Sequence, residues 1–368
     1  MASIKLKGDT SGEITIQAPS VAGTHTLTLP KATGNIATDA TVGLGTKNLV
    51  LNGDMRIDQR NAGASVTPTN SQYHIDRWRA YLTQASKYTV QQSTTAPSGF
   101  NYSLLATSSS AYTVGASDYF LLAQPIEGLN SAHLAWGTSA AKTVTLSFWV
   151  RSSLTGTFGG AVGNAAGNRS YPYSYTISSA DTWEKKTITI SGDTSGTWVT
   201  TNASSVVIYW SLGSGSSSSG TAGAWSGTYY DSATGATSVV GTNGATLYIT
   251  GVQLEVGENA TPFENRMYSQ ELAMCQRYYF FQDQVQFIGY QPSGQLFAVM
   301  NYFPISMRAS PTLTVFDYAG ASGKVFLNAN NVTGYIDISQ KNSCRVYAAT
   351  TTTGSQTFGY TFKADAEI

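Results

Sequence analysis

Alternating apolar and polar positions recur along most of this chain and predict many short β-strands. The clearest run covers residues 143–151, where the even-numbered positions from 144 to 150 hold Val, Leu, Phe and Val. The odd-numbered positions between them hold Thr, Ser and Trp, so one face of this strand is apolar and the other is mostly polar. Two long stretches rich in Gly and Ser separate such runs, as connections between strands would. The pattern therefore favours a mainly β protein.

The segment 248–281 changes from a strand period to a helical one. It begins as a strand, turns through residues 257–262, and then shows partly apolar positions at helical spacing over about 269–281. Ser269 is the predicted N-cap of that helix. We expect the helix to connect two β domains and to bury one face between them. The predicted junction residues are Leu272, Cys275 and Tyr279.

These patterns predict three parts in the chain. Residues 1–46 form an N-terminal leader with two short strand patterns, at 13–16 and 25–29, and a polar linker at 34–46. Residues 47–265 have the strand spacing of a jelly-roll β-sandwich. Residues 266–368 contain the connecting helix and a smaller β domain that is rich in Tyr and Phe. A small β domain of this kind gains stability by packing against copies of itself.

The balance of charges argues against two classes of partner, nucleic acids and membranes. Charged residues make up 11% of the chain, and 21 basic residues balance 21 acidic ones. A neutral chain has no field to attract a phosphate backbone, so nucleic acid is not an expected partner. No apolar run has the roughly 20 residues that cross a bilayer, so membrane insertion is not expected either. Neutrality also lowers solubility, which suits a protein that works within an assembly.

Few residues carry recognisable catalytic or metal-binding chemistry. Cys275 and Cys344 lie far apart without metal spacing, and we expect both to be buried and reduced. The three histidines are isolated, and no phosphate-binding loop or nucleophile elbow occurs. Three glutamates between 255 and 264 could form a glycosidase pair, but turn capping and pairing with arginine are the preferred interpretation. The sequence thus predicts no catalytic residue, no metal and no cofactor.

Aromatic residues on polar faces and in loops are the main candidates for ligand binding. Sugars lay their C–H faces on aromatic rings and add a few hydrogen bonds, so exposed Trp and Tyr provide suitable chemistry. An alternative is that these rings form a subunit interface, or that their loop folds back onto the sandwich. The predicted carbohydrate-binding candidates are Trp225, Tyr229, Tyr230, Trp149 and Tyr209.

Several motifs resemble tail-fibre and related virion proteins of marine tailed phages. They cover about the first 280 residues, and a weaker likeness to phage fibre ends lies at 304–315. The motifs include THTLTLPKATGNIAT (24–38), NLVLNGDMRIDQRNAG (48–63), IDRW (75–78), PIEGLN (125–130), AKTVTLSFWVRSSLTGTF (141–158) and YITGVQLEVGENATPFENRMYSQELAMCQRYY (248–279).

This resemblance implies a structural virion protein, a homotrimeric tail fibre or tail appendage that takes part in host attachment. Its N-terminus would bind other virion proteins, and it would be made in the host cytoplasm before joining the particle. Two alternatives remain open. The chain could act as a carbohydrate-binding module that recognises a host polysaccharide, or it could be a capsule-degrading glycosidase. A depolymerase of the usual kind shows repetitive β-helix turns and clustered acids, and neither occurs in this sequence.

The middle domain also resembles jelly-roll carbohydrate-binding modules, which open with a similar Asn-Leu-x-x-Asn-Gly signature. The resemblance implies a structural calcium held by an acidic residue soon after that Gly and by an Asp in the closing strand. Arg56 and Thr250 stand near those positions here, so we expect no metal. Asp54 and Glu255 remain the acidic residues that could meet across the ends of the first and last strands.

Overall fold

The computed structural model describes residues 47–337 and 339–368 in full, together with the backbone of Ser3–Lys7 and Glu13–Gln17. Met1–Leu44 and Gly45–Ile368 are separate units. In the first unit, strand β1 (Ser3–Lys7) pairs antiparallel with β2 (Glu13–Gln17). The strand predicted at 25–29 and the linker predicted at 34–46 lie outside the described residues.

Two stacked antiparallel sheets form the body of the second unit. The six-stranded sheet has the order β10-β9-β12-β7-β4-β3, and the five-stranded sheet has the order β11-β8-β15-β6-β5. A short parallel pair, β13-β14, lies outside them. The strands are β3 (Tyr73–Ile75), β4 (Trp78–Leu82), β5 (Tyr88–Ser93), β6 (Ser103–Ser108), β7 (Tyr119–Glu127), β8 (Val144–Ser152), β9 (Gly156–Asn164), β10 (Ser170–Ile177), β11 (Glu184–Ile190), β12 (Ser204–Ser214), β13 (Ser219–Gly220), β14 (Ser232–Ala233) and β15 (Thr246–Val256).

The alternation in the sequence decides which side chains fill the space between the sheets. Strand β8 matches the run predicted at 143–151, and its even-numbered apolar side chains all lie in the core. Trp78 and Phe148 meet Trp210 at ring-centroid distances of 5.4 and 5.6 Å within that core. The prediction of a mainly β, jelly-roll sandwich is therefore confirmed.

The Asn-Gly signature near residue 48 anchors the first segment of the sandwich to its closing strand. Asn48 accepts hydrogen bonds from the amides of Val50 and Leu254, and it donates one to the Val252 carbonyl. A Cβ atom on Gly53 would lie 2.2 Å from that carbonyl oxygen, so only glycine fits there. This signature therefore stabilises the fold.

The connecting helix is shorter than the sequence predicts. Helix α2 spans Tyr268–Gln276, and its N-cap is Met267 rather than Ser269. Tyr279 lies in the first strand of the C-terminal β domain, where aromatic residues favour extended backbone. Two other helical turns, α1 (Gly128–Ser131) and a 3₁₀ helix (Ala132–Leu134), follow β7 and were not predicted.

The C-terminal domain has its own core between two further sheets. The larger sheet has the order β16-β23-β19-β20 with β18 also on β23, and the smaller one has the order β17-β22-β21. The predicted domain boundary at 265 falls within the second unit, so the domain limits stay a prediction. The strands are β16 (Tyr279–Gln291), β17 (Leu296–Tyr302), β18 (Thr312–Phe316), β19 (Lys324–Leu327), β20 (Asn330–Thr333), β21 (Tyr335–Asp337), β22 (Ser343–Ala349) and β23 (Gly354–Asp365).

Buried ion pairs join the sandwich to the C-terminal domain. Arg77 is 1% exposed and forms an ion pair with Glu367. Its guanidinium stacks over the Tyr278 ring at 3.6 Å and donates to the Pro125 carbonyl at 2.6 Å. A buried charge needs such a set of partners, because removing it from water is costly.

Both cysteines are buried and free, as expected from their spacing. Within the described ranges, none of the helices is both long and apolar enough to span a bilayer.

Candidate functional site

The outer face of the six-stranded sheet carries a second apolar cluster, away from the core. On β12 the even-numbered side chains from 206 to 212 enter the core, so the odd-numbered ones point outward. Val207 and Tyr209 on this strand join Leu121 and Ala123 of β7 in the outer cluster. A sheet face that is exposed to solvent is usually polar, so an apolar cluster there indicates either a covering partner or a binding surface.

Four tyrosines and one arginine cross this outer face in a continuous line, which we term the aromatic row. The Arg79 guanidinium lies 5.4 Å from the Tyr73 ring centroid and 4.6 Å from the Tyr81 ring centroid. The ring centroids of Tyr81 and Tyr209 are 5.9 Å apart, and those of Tyr209 and Tyr229 are 6.0 Å apart. Tyr209 is only 6% exposed, whereas the other members of the row are half-buried.

Small neighbours leave room around the rings of the row. Tyr209 pairs across the sheet with Ala123 on one side and with Ala161 on the other. The loop between β12 and β15 covers the β9 side, because a Cβ atom on Gly163 would lie 3.1 Å from the Tyr229 ring. The half-buried rings therefore face solvent mainly over β7 and β4.

Hydrogen bonds between protein groups fix the rings at one end of the row. Tyr229 donates its hydroxyl hydrogen bond to the Tyr209 hydroxyl, and Tyr173 donates to the Tyr209 carbonyl at 2.7 Å. Burial raises the pKa of the Tyr209 and Tyr229 phenols, so both stay protonated at neutral pH. Asp231 is 5% exposed and accepts a hydrogen bond of 2.6 Å from the Ser214 hydroxyl.

The Asp231 carboxyl gives this end of the row a dependence on pH. Burial raises its pKa from the usual 3.8 to about 7, and the Ser214 hydrogen bond opposes that shift. The stability that the protonated Asp231 carboxyl contributes to the folded state is therefore fully present below pH 3.8 and is lost as the pH rises through 7.

We expect the Asp231→Asn variant to have a higher free energy of unfolding than the wild type at about pH 8, by on the order of 1–4 kcal/mol. This difference should vanish toward pH 4, where the wild-type carboxyl is protonated in the folded state. Urea unfolding at the two pH values measures this, and a variant that is less stable at pH 8 would contradict it.

The five residues predicted to bind carbohydrate occupy four separate places. Tyr209 and Tyr229 belong to the aromatic row. Trp149 is half-buried on the outer face of the five-stranded sheet, and the Tyr230 ring packs over Gly220. Whether any of these residues binds carbohydrate stays a prediction.

Trp225 lies in a cluster of tryptophans at another position on the sandwich. Its ring centroid is 5.3 Å from that of Trp136 and 5.6 Å from that of Trp198, and its indole N–H donates to the Ser191 carbonyl at 2.7 Å. Trp225 is half-buried, because residues distant in sequence supply the contacts that its Gly and Ser neighbours do not. The expectation that its loop leaves it exposed was wrong, which favours the alternative that the loop folds back.

The junction residues lie where the connecting helix meets the sandwich and the C-terminal domain. Cys275 is buried and Leu272 is half-buried on α2. Tyr279 is buried in β16, with the Arg60 guanidinium 3.8 Å from its ring centroid.

The acidic residues considered for metal binding or catalysis have other partners. Asp54 forms an ion pair with Arg56, whereas Glu255 accepts hydrogen bonds from Gln253 and Thr261. In the part of the chain that the structure describes, no group of three His, Cys, Asp or Glu side chains is placed to hold a metal.

Comparisons with known proteins give only distant likenesses. No protein-family model matches the chain, and no curated protein does. A putative sugar-binding protein from Bacteroides thetaiotaomicron is 15% identical with a TM-score of 0.33, over 57% of this chain and 100% of that one. A carbohydrate-binding module solved with β-1,4-galactotriose is 12% identical with a TM-score of 0.30, over 58% of this chain and 100% of that one.

A phage protein is among the similar structures. The enzymatically active domain of bacteriophage CBA120 tailspike protein 4 is 14% identical with a TM-score of 0.31. The match covers 57% of this chain and only 21% of that one, so this chain spans about a fifth of the tailspike domain. TM-scores of 0.30–0.33 carry no argument about function.

Proposed function

We propose that this protein binds carbohydrate on the outer face of its six-stranded sheet, without catalysis, as a homotrimeric tail fibre or tail appendage of a phage. The observation that carries the proposal is the aromatic row of Tyr73, Arg79, Tyr81, Tyr209 and Tyr229. Half-buried tyrosine rings offer apolar faces to sugar C–H groups, and their hydroxyls offer hydrogen bonds. The ligand would be a host surface polysaccharide.

The burial of Asp231, the carboxyl group beside the row, favours binding over hydrolysis. A glycosidase needs one carboxylic acid beside the glycosidic oxygen and a second carboxylate nearby. Asp231 is 5% exposed and is held by Ser214, so it is closed to a glycosidic oxygen. Glu255 is 3% exposed and is occupied by Gln253 and Thr261.

Hydrogen exchange with bound oligosaccharide tests where the ligand binds. Fragments of bacterial surface polysaccharides would be screened for binding to the intact wild-type protein. We expect a bound fragment to slow amide exchange in β4, β7, β12 and the loop around Tyr229, because the row lies on these segments. Slower exchange confined to β8 and β15 would instead place binding on the opposite sheet and contradict the proposal.

The place in a phage particle is supported by the sequence motifs and by the division of the chain. The N-terminal leader falls in a unit separate from Gly45–Ile368, as an attachment segment would. Other virion proteins would bind this unit.

The trimer is supported by the surface of the C-terminal domain. Nine of the thirteen large hydrophobic residues that are exposed in the described part of the chain lie there. Along β17, Leu296, Met300 and Tyr302 all point outward, and Tyr302 is 74% exposed. Next to them the Tyr335 and Tyr347 rings stack at 5.2 Å. Contiguous exposed apolar side chains on a sheet face are typical of a protein interface, and a second copy of the chain is the partner we propose.

We expect the wild-type protein to have about three times the chain mass of 39.1 kDa in light scattering. Leu296→Lys with Met300→Lys should reduce the measured mass to that of one chain, because the new charges would be buried in the interface. Leu129→Lys, at another exposed apolar position of 57% exposure, is the control and should stay trimeric. A wild-type monomer at micromolar concentration would contradict the trimer.

A further inference from the structure

A buried polar cluster lies at the end of β15, beneath the turn that leads to the connecting helix. Val252 and Leu254 enter the core, so Gln253 between them points to the other face of the strand. Gln253 is nevertheless 0% exposed, and Glu255, two positions further along the same face, is 3% exposed. The turn covers both side chains, because main-chain N–H groups of Thr261 and residue 264 donate hydrogen bonds to them.

The hydrogen bonds of the Gln253 amide fix its orientation. Its Oε1 atom accepts a hydrogen bond of 2.8 Å from the main-chain N–H of Glu264. Its Nε2 atom donates one of 2.7 Å to the Glu255 carboxylate. A main-chain N–H can only donate and a carboxylate accepts, so the reverse orientation of the amide is excluded. The amide carbonyl is therefore polarised by a donor, and its nitrogen lies against an acidic group.

The Thr261 hydroxyl lies between this amide and the carboxylate. Its Oγ1 atom donates a hydrogen bond of 2.6 Å to Glu255 and lies 3.2 Å from the Gln253 Nε2 atom. Because an amide C–N bond is about 1.3 Å long, Oγ1 is within about 4.5 Å of the amide carbon. The Lys47 ammonium also donates to Oγ1, and it donates to the Pro262 carbonyl at 2.9 Å.

These contacts combine the groups that acyl transfer needs. A hydroxyl hydrogen-bonded to a carboxylate is a nucleophile beside a general base. The Glu264 N–H points at the oxygen on which negative charge would develop, as a donor in an oxyanion hole does. The Lys47 ammonium adds positive charge next to the attacking oxygen.

Another buried glutamine shows that this combination is not a general feature of the fold. Gln356 is 1% exposed, and its Nε2 atom lies 3.1 Å from the Thr352 hydroxyl oxygen. Its other partners are the Asn328 amide and the Thr352 carbonyl, so the hydrogen bonds described there include no carboxylate. This pair has the hydroxyl and the amide but lacks the base.

We propose that Thr261 attacks the side-chain amide of Gln253 and forms an internal ester with release of ammonia. The Oγ1–Cδ bond forms and the Cδ–Nε2 bond breaks. Glu255 takes the hydroxyl proton and returns a proton to the nitrogen, which leaves as ammonia with the electron pair of the broken bond. The reaction occurs once within each chain, needs no co-reactant, and does not depend on the proposed carbohydrate binding.

The ester would join the closing strand of the sandwich to the turn in front of the connecting helix. A pull on the C-terminal domain would then reach Gln253 through a covalent bond and bypass residues 254–260. The bond would also shorten the free chain in the unfolded state, as cross-links do.

Mass spectrometry of the intact, denatured wild-type protein tests the proposal. We expect a mass about 17 Da below the value for the unmodified chain, which is one ammonia per ester. A protease that cuts after Glu258 in the denatured protein should leave the two flanking fragments joined. Neutral hydroxylamine should then separate them, because it cleaves esters and leaves amides intact. An unmodified wild-type mass would overturn the proposal, and so would a link that resists hydroxylamine.

Variants assign the roles of the groups. Thr261→Val and Glu255→Gln should each have the full unmodified mass, because the first lacks the nucleophile and the second lacks the base. Thr261→Ser keeps a hydroxyl and should retain the loss of about 17 Da. Thr352→Val is the matched control and should also retain it. A loss of ammonia that persists in Thr261→Val would place the reaction at another group and contradict the proposed ester.

Discussion

Replacing Glu367 with glutamine is expected to lower the free energy of unfolding by about 3–5 kcal/mol. The Glu367 side chain is 4% exposed and neutralises Arg77 and Arg60. Without it, Arg77 would hold a positive charge at 1% exposure with only the Pro125 carbonyl and the Tyr278 ring as partners. The penalty arises because the remaining charge is buried without compensation.

An exposed pair in the same domain provides the control. Arg345 and Asp337 form an ion pair of 2.7 Å, but their side chains are 35% and 38% exposed. Asp337→Asn should therefore change the unfolding free energy by less than about 1 kcal/mol, because solvent screens exposed pairs. Chemical denaturation of both variants measures the difference. If Glu367→Gln cost no more than the control, the buried network would not hold the two domains together.

The Glu367→Gln variant also allows the effect on stability to be separated from an effect on ligand binding. Arg77 and Glu367 lie at the junction with the C-terminal domain rather than on the aromatic row, so loss of their ion pair should not remove the tyrosine rings from the sandwich. A Glu367→Gln protein that remains folded is expected to bind neutral glycan like the wild type.

The sandwich could be predicted from the sequence because each strand shows its own local alternation of apolar and polar residues. The run at 143–151 alternates strictly, and its apolar positions could only fill a core. The connecting helix was predicted less well. Tyr279 continues the helical spacing of Leu272 and Cys275, yet in the structure it pairs with Asp365 of β23. Tertiary pairing overrides a weak local preference.

The aromatic row could not be assembled from the sequence, because its members come from distant strands. Tyr81 and Tyr209 become neighbours only through the strand order β12-β7-β4, in which β7 lies between them. The pattern of β4 nevertheless held usable information. Trp78, Ala80 and Leu82 point inward, which places Arg79 and Tyr81 on the outer face.

The exposure of Trp225 was predicted wrongly from the sequence. Its neighbours in the Gly-rich and Ser-rich loop are too small to bury it, so the sequence predicted an exposed ring. The structure surrounds it with Trp136, Trp198 and Tyr171, which all lie outside its own loop in the sequence. Exposure of a loop residue depends on where the loop packs, and local sequence does not contain that information.

Removing two rings from the aromatic row is expected to weaken glycan binding by about 30-fold or more. Tyr81 and Tyr229 stand on either side of the buried Tyr209, at 5.9 and 6.0 Å between ring centroids. Each stacking contact with a sugar is worth about 1 kcal/mol, so the double variant Tyr81→Ala/Tyr229→Ala should lose about 2 kcal/mol of binding free energy. Thermal melting of the variant, measured beside the wild type, would show that the sandwich remains folded.

The five-stranded sheet offers a matched control for this double variant. There the Arg151 guanidinium lies 5.2 Å from the Tyr248 ring centroid, much as Arg79 lies 4.6 Å from Tyr81. Tyr248 is also half-buried, so Tyr248→Ala removes a similar ring from the opposite face. It should leave the affinity within about twofold of the wild-type value, a difference of roughly 0.4 kcal/mol.

The most direct test is one calorimetric titration of a bound oligosaccharide into three proteins: the wild type, Tyr81→Ala/Tyr229→Ala and Tyr248→Ala. Binding on the six-stranded sheet predicts a loss of about 30-fold for the first variant and wild-type affinity for the second. Wild-type affinity in the folded double variant, or a loss confined to Tyr248→Ala, would show that the aromatic row is not the carbohydrate-binding surface.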